Sequence, residues 1–122
     1  MTDDPRPCTI LIDIDGTILF QRGGLDQQIL QTSTLLPGVL EKFHEWDRLG
    51  YIIILMTGRK ESMRRITERQ LEELGVYFDQ LVMGIGGGVR VLINNSKDSC
   101  PGLNTAVGIT IPKNKGLEEL SI

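Results

Sequence analysis

Three short polar clusters interrupt an otherwise apolar pattern: Asp13-Ile14-Asp15-Gly16-Thr17, Thr57-Gly58-Arg59 and Asn94-Asn95-Ser96. Their residue types suit chemistry on a phosphoryl group. Two carboxylates one residue apart can divide labour, one attacking as a nucleophile while the other handles the proton. A side-chain oxygen and a backbone carbonyl from the same pair can hold a hard cation such as Mg²⁺. The amide oxygen of Asn95 adds a third ligand of the same kind. The hydroxyl of Thr57, with nearby backbone N–H groups, can hold phosphoryl oxygens, and Arg59 can grip a second anionic group with two parallel bonds.

Each cluster follows an apolar run short enough to be a strand. Thr9–Ile12 and Tyr51–Met56 read as buried strands, the second rich in β-branched residues. Leu81–Met83, Val89–Ile93 and Ala106–Ile111 read as further strands. Between them, Pro37 opens a helix that carries Val39, Leu40, Phe43, Trp46 and Leu49 at helical spacing and stops at Gly50. A second helix runs from Ser62 to Leu74, with Met63, Ile66, Leu71 and Leu74 on its apolar side, and stops at Gly75. Strands alternating with helices predict an α/β fold: a single-domain, Rossmann-like, mostly parallel sheet flanked by helices. In such sheets ligands bind at the carboxyl ends of the strands, which is where all three clusters fall. The link from Met83 to Val89 is too short for a parallel crossover, so either these two strands are not parallel neighbours or the strand before the glycines is an antiparallel edge, the second being the expectation. Residues 18–36 read as a short hairpin or flap, and residues 112–122 as a tail or short terminal helix.

The 122 residues suit one domain, and 40% hydrophobic residues suffice for a core. No apolar stretch approaches the ~20 residues that span a bilayer, and Met1–Pro7 lacks a signal-peptide core. Thirteen basic against sixteen acidic residues give a net charge of −3, so a broad nucleic-acid footprint is absent. Cys8 and Cys100 match no metal-ligand spacing, and a reducing cytoplasm is the simplest setting. Gly84 and Gly86–Gly88 lack the helix and lysine of a P-loop and read as a tight connection. His44 reads as structural or exposed, Trp46 as core, and Arg64, Arg65 and Arg69 as an ion-paired helix face.

The run Asp13-Ile14-Asp15-Gly16-Thr17 resembles the first motif, DxDGT, of the haloacid dehalogenase-like phosphohydrolases, and Thr57-Gly58-Arg59 after an apolar strand is similar to their second. The resemblance covers residues 8–98. It implies Asp13 as the nucleophile that forms an aspartyl-phosphate. It implies Asp15 as general acid/base and as donor of a backbone carbonyl to Mg²⁺, and Thr57 as a phosphoryl-binding hydroxyl. Gly16, Thr17, Gly58 and Arg59 then line the substrate. Two departures stand out. The lysine of the third motif is missing, since Gly84-Ile85-Gly86 stands where Gly-Lys-Pro is usual; Arg90, ahead of Lys97, is the expected substitute. Asparagines replace the acidic metal ligands of the fourth motif, which leaves Asn95 beside Asp13 and Asp15 as the third metal ligand and predicts weaker Mg²⁺ binding.

Residues 18–36 are too few for an inserted cap, so residues 1–122 are expected to form one capless domain whose site is open or covered by a second copy. The leading expectation is a cytoplasmic, Mg²⁺-dependent phosphatase for a small phosphorylated metabolite such as a sugar phosphate, with no nucleic-acid or membrane partner. The alternative is a catalytically degenerate relative that binds a phosphorylated ligand or a partner. The missing lysine and the two asparagines motivate it.

Overall fold

The computed structural model describes residues 4–24, 27, 28 and 33–122. Parts of the expected flap, at 25–26 and 29–32, and of the amino-terminal stretch, at 1–3, lie outside the described residues. Three strands form a parallel sheet: β1 (Thr9–Asp13), β2 (Ile52–Met56) and β3 (Gln80–Val82), in the order β1-β2-β3. Ile10 pairs with Ile53 and Asp13 with Met56, and Met56 in turn pairs with Val82. Helix α1 (Val39–Arg48) connects the first two strands, and helix α2 (Arg64–Glu73), led in by a 3₁₀ turn at Glu61–Met63, connects the second and third. The α/β sheet flanked by helices agrees with the sequence reading.

Alternation explains the strands. Ile10 and Ile12 of β1, and Ile53 and Leu55 of β2, are buried and face the core. Phe43 and Trp46 anchor α1 there, with ring centroids 5.3 Å apart. Tyr77 meets Phe43 edge-on, and its hydroxyl donates to the Phe43 carbonyl at 2.8 Å. Both helices stop at the expected glycines, Gly50 and Gly75. The first begins later than expected: Pro37 stays outside the helix, and a left-handed Gly38 precedes Val39. Leu49 is 52% exposed rather than part of the apolar stripe. His44 is exposed and Trp46 is core, both as expected.

Three strand expectations are overturned. The segment around Leu81 is a parallel neighbour of β2, because α2 supplies a full crossover before it. Val89–Ile93 and Ala106–Ile111 form no strand. Val89 is 95% and Ile93 89% exposed, so this stretch has neither a neighbouring strand nor a core to pack on. The third polar cluster therefore does not end a sheet strand.

The limbs of the flap do pair: Phe20 N–H donates to the Thr34 carbonyl at 2.8 Å and Leu36 N–H to Ile18 at 3.0 Å. The carboxy-terminal stretch is docked rather than a loose tail. Leu117 is buried, and its N–H donates to the Pro37 carbonyl at 2.8 Å. Gly116 makes this approach possible, since a methyl group there would lie 2.3 Å from the Pro37 oxygen. Among the described residues, no helix is long and apolar enough to cross a membrane.

Candidate active site

The loop after β1 winds around one carbonyl. The Ile14 oxygen accepts from Thr17, Ile18 and Leu19 N–H at 3.1, 2.9 and 3.1 Å. Ile14, Ile18 and Leu19 are all fully buried, which pins both ends of the loop to the core. Gly16, at φ 87°, makes the reversal between them in a conformation that costs an L side chain about 1–2 kcal/mol. The two aspartates thus leave β1 from a rigid base, and their surroundings differ.

Asp13 is partly open, its side chain 32% exposed. Arg90 Nη1 donates to its Oδ1 at 3.0 Å, and the Thr17 hydroxyl approaches Oδ2 at 3.4 Å. Asp15 is turned inward, its side chain 6% exposed. Arg59 holds it bidentately, Nε to Oδ2 at 2.9 Å and Nη2 to Oδ1 at 2.8 Å. The same guanidinium is fixed from α2, where Nη1 donates to Thr67 Oγ1 at 3.0 Å and to Gln70 Oε1 at 2.6 Å.

Arg59 is the clearest departure from the sequence expectation. Its residue type suits a substrate anion, yet it is fully buried and bonded to three side chains of its own protein. Its role in this arrangement is to fix the plane of Asp15. A carboxylate offers about four lone-pair positions, and the arginine uses two of them. Thr67 and Gln70 could not be singled out in sequence, because polar residues on the buried side of a helix carry no motif. The pairing of Thr67 with an apolar neighbour such as Leu71 on the buried face was the one available hint.

Thr57 follows β2 directly and is buried. Its hydroxyl accepts from the Arg59 N–H at 3.1 Å, its own N–H donates to Val82 at 3.0 Å, and its carbonyl accepts from Ile85 at 2.9 Å. Gly58 lies between Thr57 and Arg59 in this turn. Asp13, Asp15, Thr17, Thr57, Arg59 and Arg90 are therefore joined by bonds or by chain at one end of the sheet.

Asn95 is not drawn into that network. Among the described residues it bonds to Asn94, Lys97 and Thr105, and its amide oxygen accepts from Lys97 Nζ at 2.9 Å. No group of three or more His, Cys, Asp or Glu residues that could hold a metal occurs among the described residues. The oxygen donors at the loop still suit a hard cation, which commonly takes one or two carboxylates and keeps several waters. They are the Asp13 carboxylate and the Asp15 backbone carbonyl, to which no described group donates. Two surface hollows, one lined by Gly38, Glu41, Lys42, Glu45 and Glu118 and the other by residues of α2 and 75–78, contain none of these residues.

No family model and no curated protein matches the chain. Solved structures do. A chain of the Pnkp1/Rnl/Hen1 complex aligns with a TM-score of 0.58 and 26% identity, over 75% of this chain and 32% of its own length. A chain of the Pnkp1/Rnl/Hen1 RNA repair complex aligns with the same score and identity, over 74% of this chain and 30% of its own. A crystal structure from Vibrio cholerae aligns with a TM-score of 0.53 and 19% identity, over 71% and 79%, which is a likeness of fold. This chain thus spans about a third of the length of the repair-complex chains it matches.

Proposed function

We propose that the chain is a haloacid dehalogenase-like phosphatase that hydrolyses a phosphomonoester through an aspartyl-phosphate on Asp13. The observation that carries this reading is the contrast between the two aspartates: Asp13 is partly open beside Arg90 and Thr17, while Asp15 is fixed by Arg59. An open carboxylate at the end of a buried strand is free to approach phosphorus in line, and Arg90 stands where developing phosphoryl charge needs a cation. Arg90 then serves in place of the missing lysine. Asp15, held as a carboxylate by Arg59, serves as base toward the water that opens the aspartyl-phosphate, through the lone pairs that Arg59 leaves, and the leaving oxygen takes its proton from solvent. Thr57 and the backbone around Gly58 hold the phosphoryl oxygens, with Gly16 and Thr17 following the two aspartates and Thr17 beside Asp13.

Asp13 and the Asp15 carbonyl would hold Mg²⁺, with waters completing its shell. Bound there, Mg²⁺ would supply charge neutralisation for the reacting anions. The substrate class is a small phosphorylated metabolite. The likeness to chains of an RNA repair complex favours testing a phosphorylated RNA end beside it. A second reading, a binding protein with little turnover, is favoured by the Lys97 contact at Asn95. A phosphatase screen over phosphometabolites and a 3′-phosphorylated oligonucleotide, with and without Mg²⁺, separates these readings. Mg²⁺-dependent release of phosphate is expected; none on any substrate gives the lead to the binding protein.

A further inference from the structure

With Arg59 sequestered, the cation expected to meet a second anionic group of the substrate is missing from its place. The carboxy-terminal stretch brings another one. Lys113 lies across the loop that carries both aspartates: a methyl group added at Gly16 would meet Lys113 Cγ at 3.2 Å and Cε at 3.8 Å. Its aliphatic stem therefore covers Gly16, directly after Asp15. The residue is exposed, and no described acidic group forms an ion pair with it.

The placement is fixed by its neighbour. Asn114 N–H donates to the Gly16 carbonyl at 2.8 Å. Its side chain clamps Gln21 from both sides, accepting from the Gln21 N–H at 2.8 Å and donating to the Gln21 carbonyl at 3.0 Å. Asn114 does this at φ 63°, the one positive φ outside glycine among the described residues. Backbone held in the left-handed region persists where surrounding bonds over-determine it. Here three bonds do so, and together they tie residue 113 to the catalytic loop and to the foot of the flap.

We propose that Lys113 is a substrate-binding residue of the site, and that it selects phosphomonoesters carrying a second anionic group close to the phosphate. The proposal rests on the phosphatase reading for the position of the phosphate, but its test does not need turnover. A lysine in this place acts as a point charge on a flexible stem, so it would favour a second anion without dictating its exact geometry. Lys113 is expected to leave the chemical step to Asp13, Asp15 and Arg90, so its loss is felt in KM more than in kcat.

The test compares two non-hydrolysable probes by titration calorimetry in Mg²⁺: methylphosphonate, with one anionic group, and phosphonoacetate, with a carboxylate beside its phosphonate. Lys113→Met keeps the stem over Gly16 and removes the charge. The expected result is a loss of ~10-fold in phosphonoacetate affinity, equivalent to ~1.4 kcal/mol, with methylphosphonate changed less than about twofold and Lys113→Arg close to wild type. Equal losses on both probes, no loss on either, or a wild type that binds phosphonoacetate no tighter than methylphosphonate would overturn the proposal. A protein that discriminates the probes through Lys113 yet hydrolyses no phosphomonoester sinks the phosphatase reading alone.

Discussion

Replacing Arg59 by leucine separates a buried structural arginine from a substrate-binding one. Arg59 is fully buried, and its partner Asp15 is 6% exposed at the side chain. Removing one member of a buried pair leaves the other charge unpaired, at a cost of about 3–5 kcal/mol. The Thr67 hydroxyl, also fully buried, loses its donor as well, which adds on the order of 1 kcal/mol if nothing moves in. Gln70 is only partly buried and finds water more easily. The expected destabilisation is therefore about 4–6 kcal/mol, a large share of the ~5–15 kcal/mol that holds a domain of this size together. At ~3–6 °C per kcal/mol, that lowers Tm by ~12–36 °C.

Chemical denaturation of wild type, Arg59→Leu, Asp15→Leu and the double variant measures this. Replacing both members removes the unpaired charge, so the double variant should lose much less than the two single losses combined. A coupling energy of at least ~2 kcal/mol is expected. If Arg59→Leu costs less than ~1 kcal/mol and the singles are additive, the guanidinium is not committed to Asp15. Arg59 would then return to the substrate side of the site.

Asp13→Asn should reduce turnover by at least ~10³-fold in a phosphate-release assay, because an amide is a far poorer nucleophile than a carboxylate. Asn95→Asp should leave turnover and the Mg²⁺ concentration for half-maximal rate nearly unchanged, read from a Mg²⁺ titration, since Asn95 bonds Asn94, Lys97 and Thr105 and not the site. Arg90→Met should lower kcat ~10²-fold with a small change in KM, by steady-state kinetics, if it stabilises the transition state rather than the bound ester. Gly116→Ala should destabilise the fold by ~2 kcal/mol or more in urea titration, because it sits at φ 85° and its methyl group would meet the Pro37 oxygen at 2.3 Å.

The two sheet strands that carry Asp13 and Thr57 were legible because buried strands write themselves as apolar runs and end in abrupt polar stops. The loop at Asp13–Thr17 was legible for a related reason: its chemistry and its turn glycine sit in one continuous stretch. What stayed hidden depends on contacts between distant parts of the chain. Nothing near Arg59 in sequence announces that Thr67 and Gln70 will bind it from the next helix. Nothing near Asn114 announces that it will bond Gln21, 93 residues earlier. Val89, Val91 and Ile93 have strand composition, but β-propensity is chiefly packing against a neighbour, and here they stand 95%, 78% and 89% exposed. The expected antiparallel edge failed through the same premise. It assumed that Val89–Ile93 was a strand to be reached from Met83, and without that strand the short glycine link imposes nothing on β3.

Charge balance at the end of β1 bears on which ligands the site accepts. Asp13 faces Arg90 and Asp15 faces Arg59, so the two carboxylates already meet two guanidinium groups. A phosphomonoester dianion approaching Asp13 finds no surplus positive charge in these four groups, and Asp13 itself repels it. Nucleophilic attack by one anion on another therefore needs further cations, and two sources are within the chain's means. The oxygen donors of Asp13 and the Asp15 carbonyl can take Mg²⁺, and Lys113 stands over Gly16 without an acidic partner among the described residues. Each source predicts a different dependence. If the proposed site holds Mg²⁺, its removal should depress every substrate alike, because the metal would neutralise charge on the phosphoryl group they share. Loss of the Lys113 charge should depress only those substrates with an anion to offer beyond the phosphate. On the proposed reading, a site balanced in this way would gain affinity for an anion where a second charge is correctly placed, so that substrate selection would rest on Lys113 and the reaction on the loop.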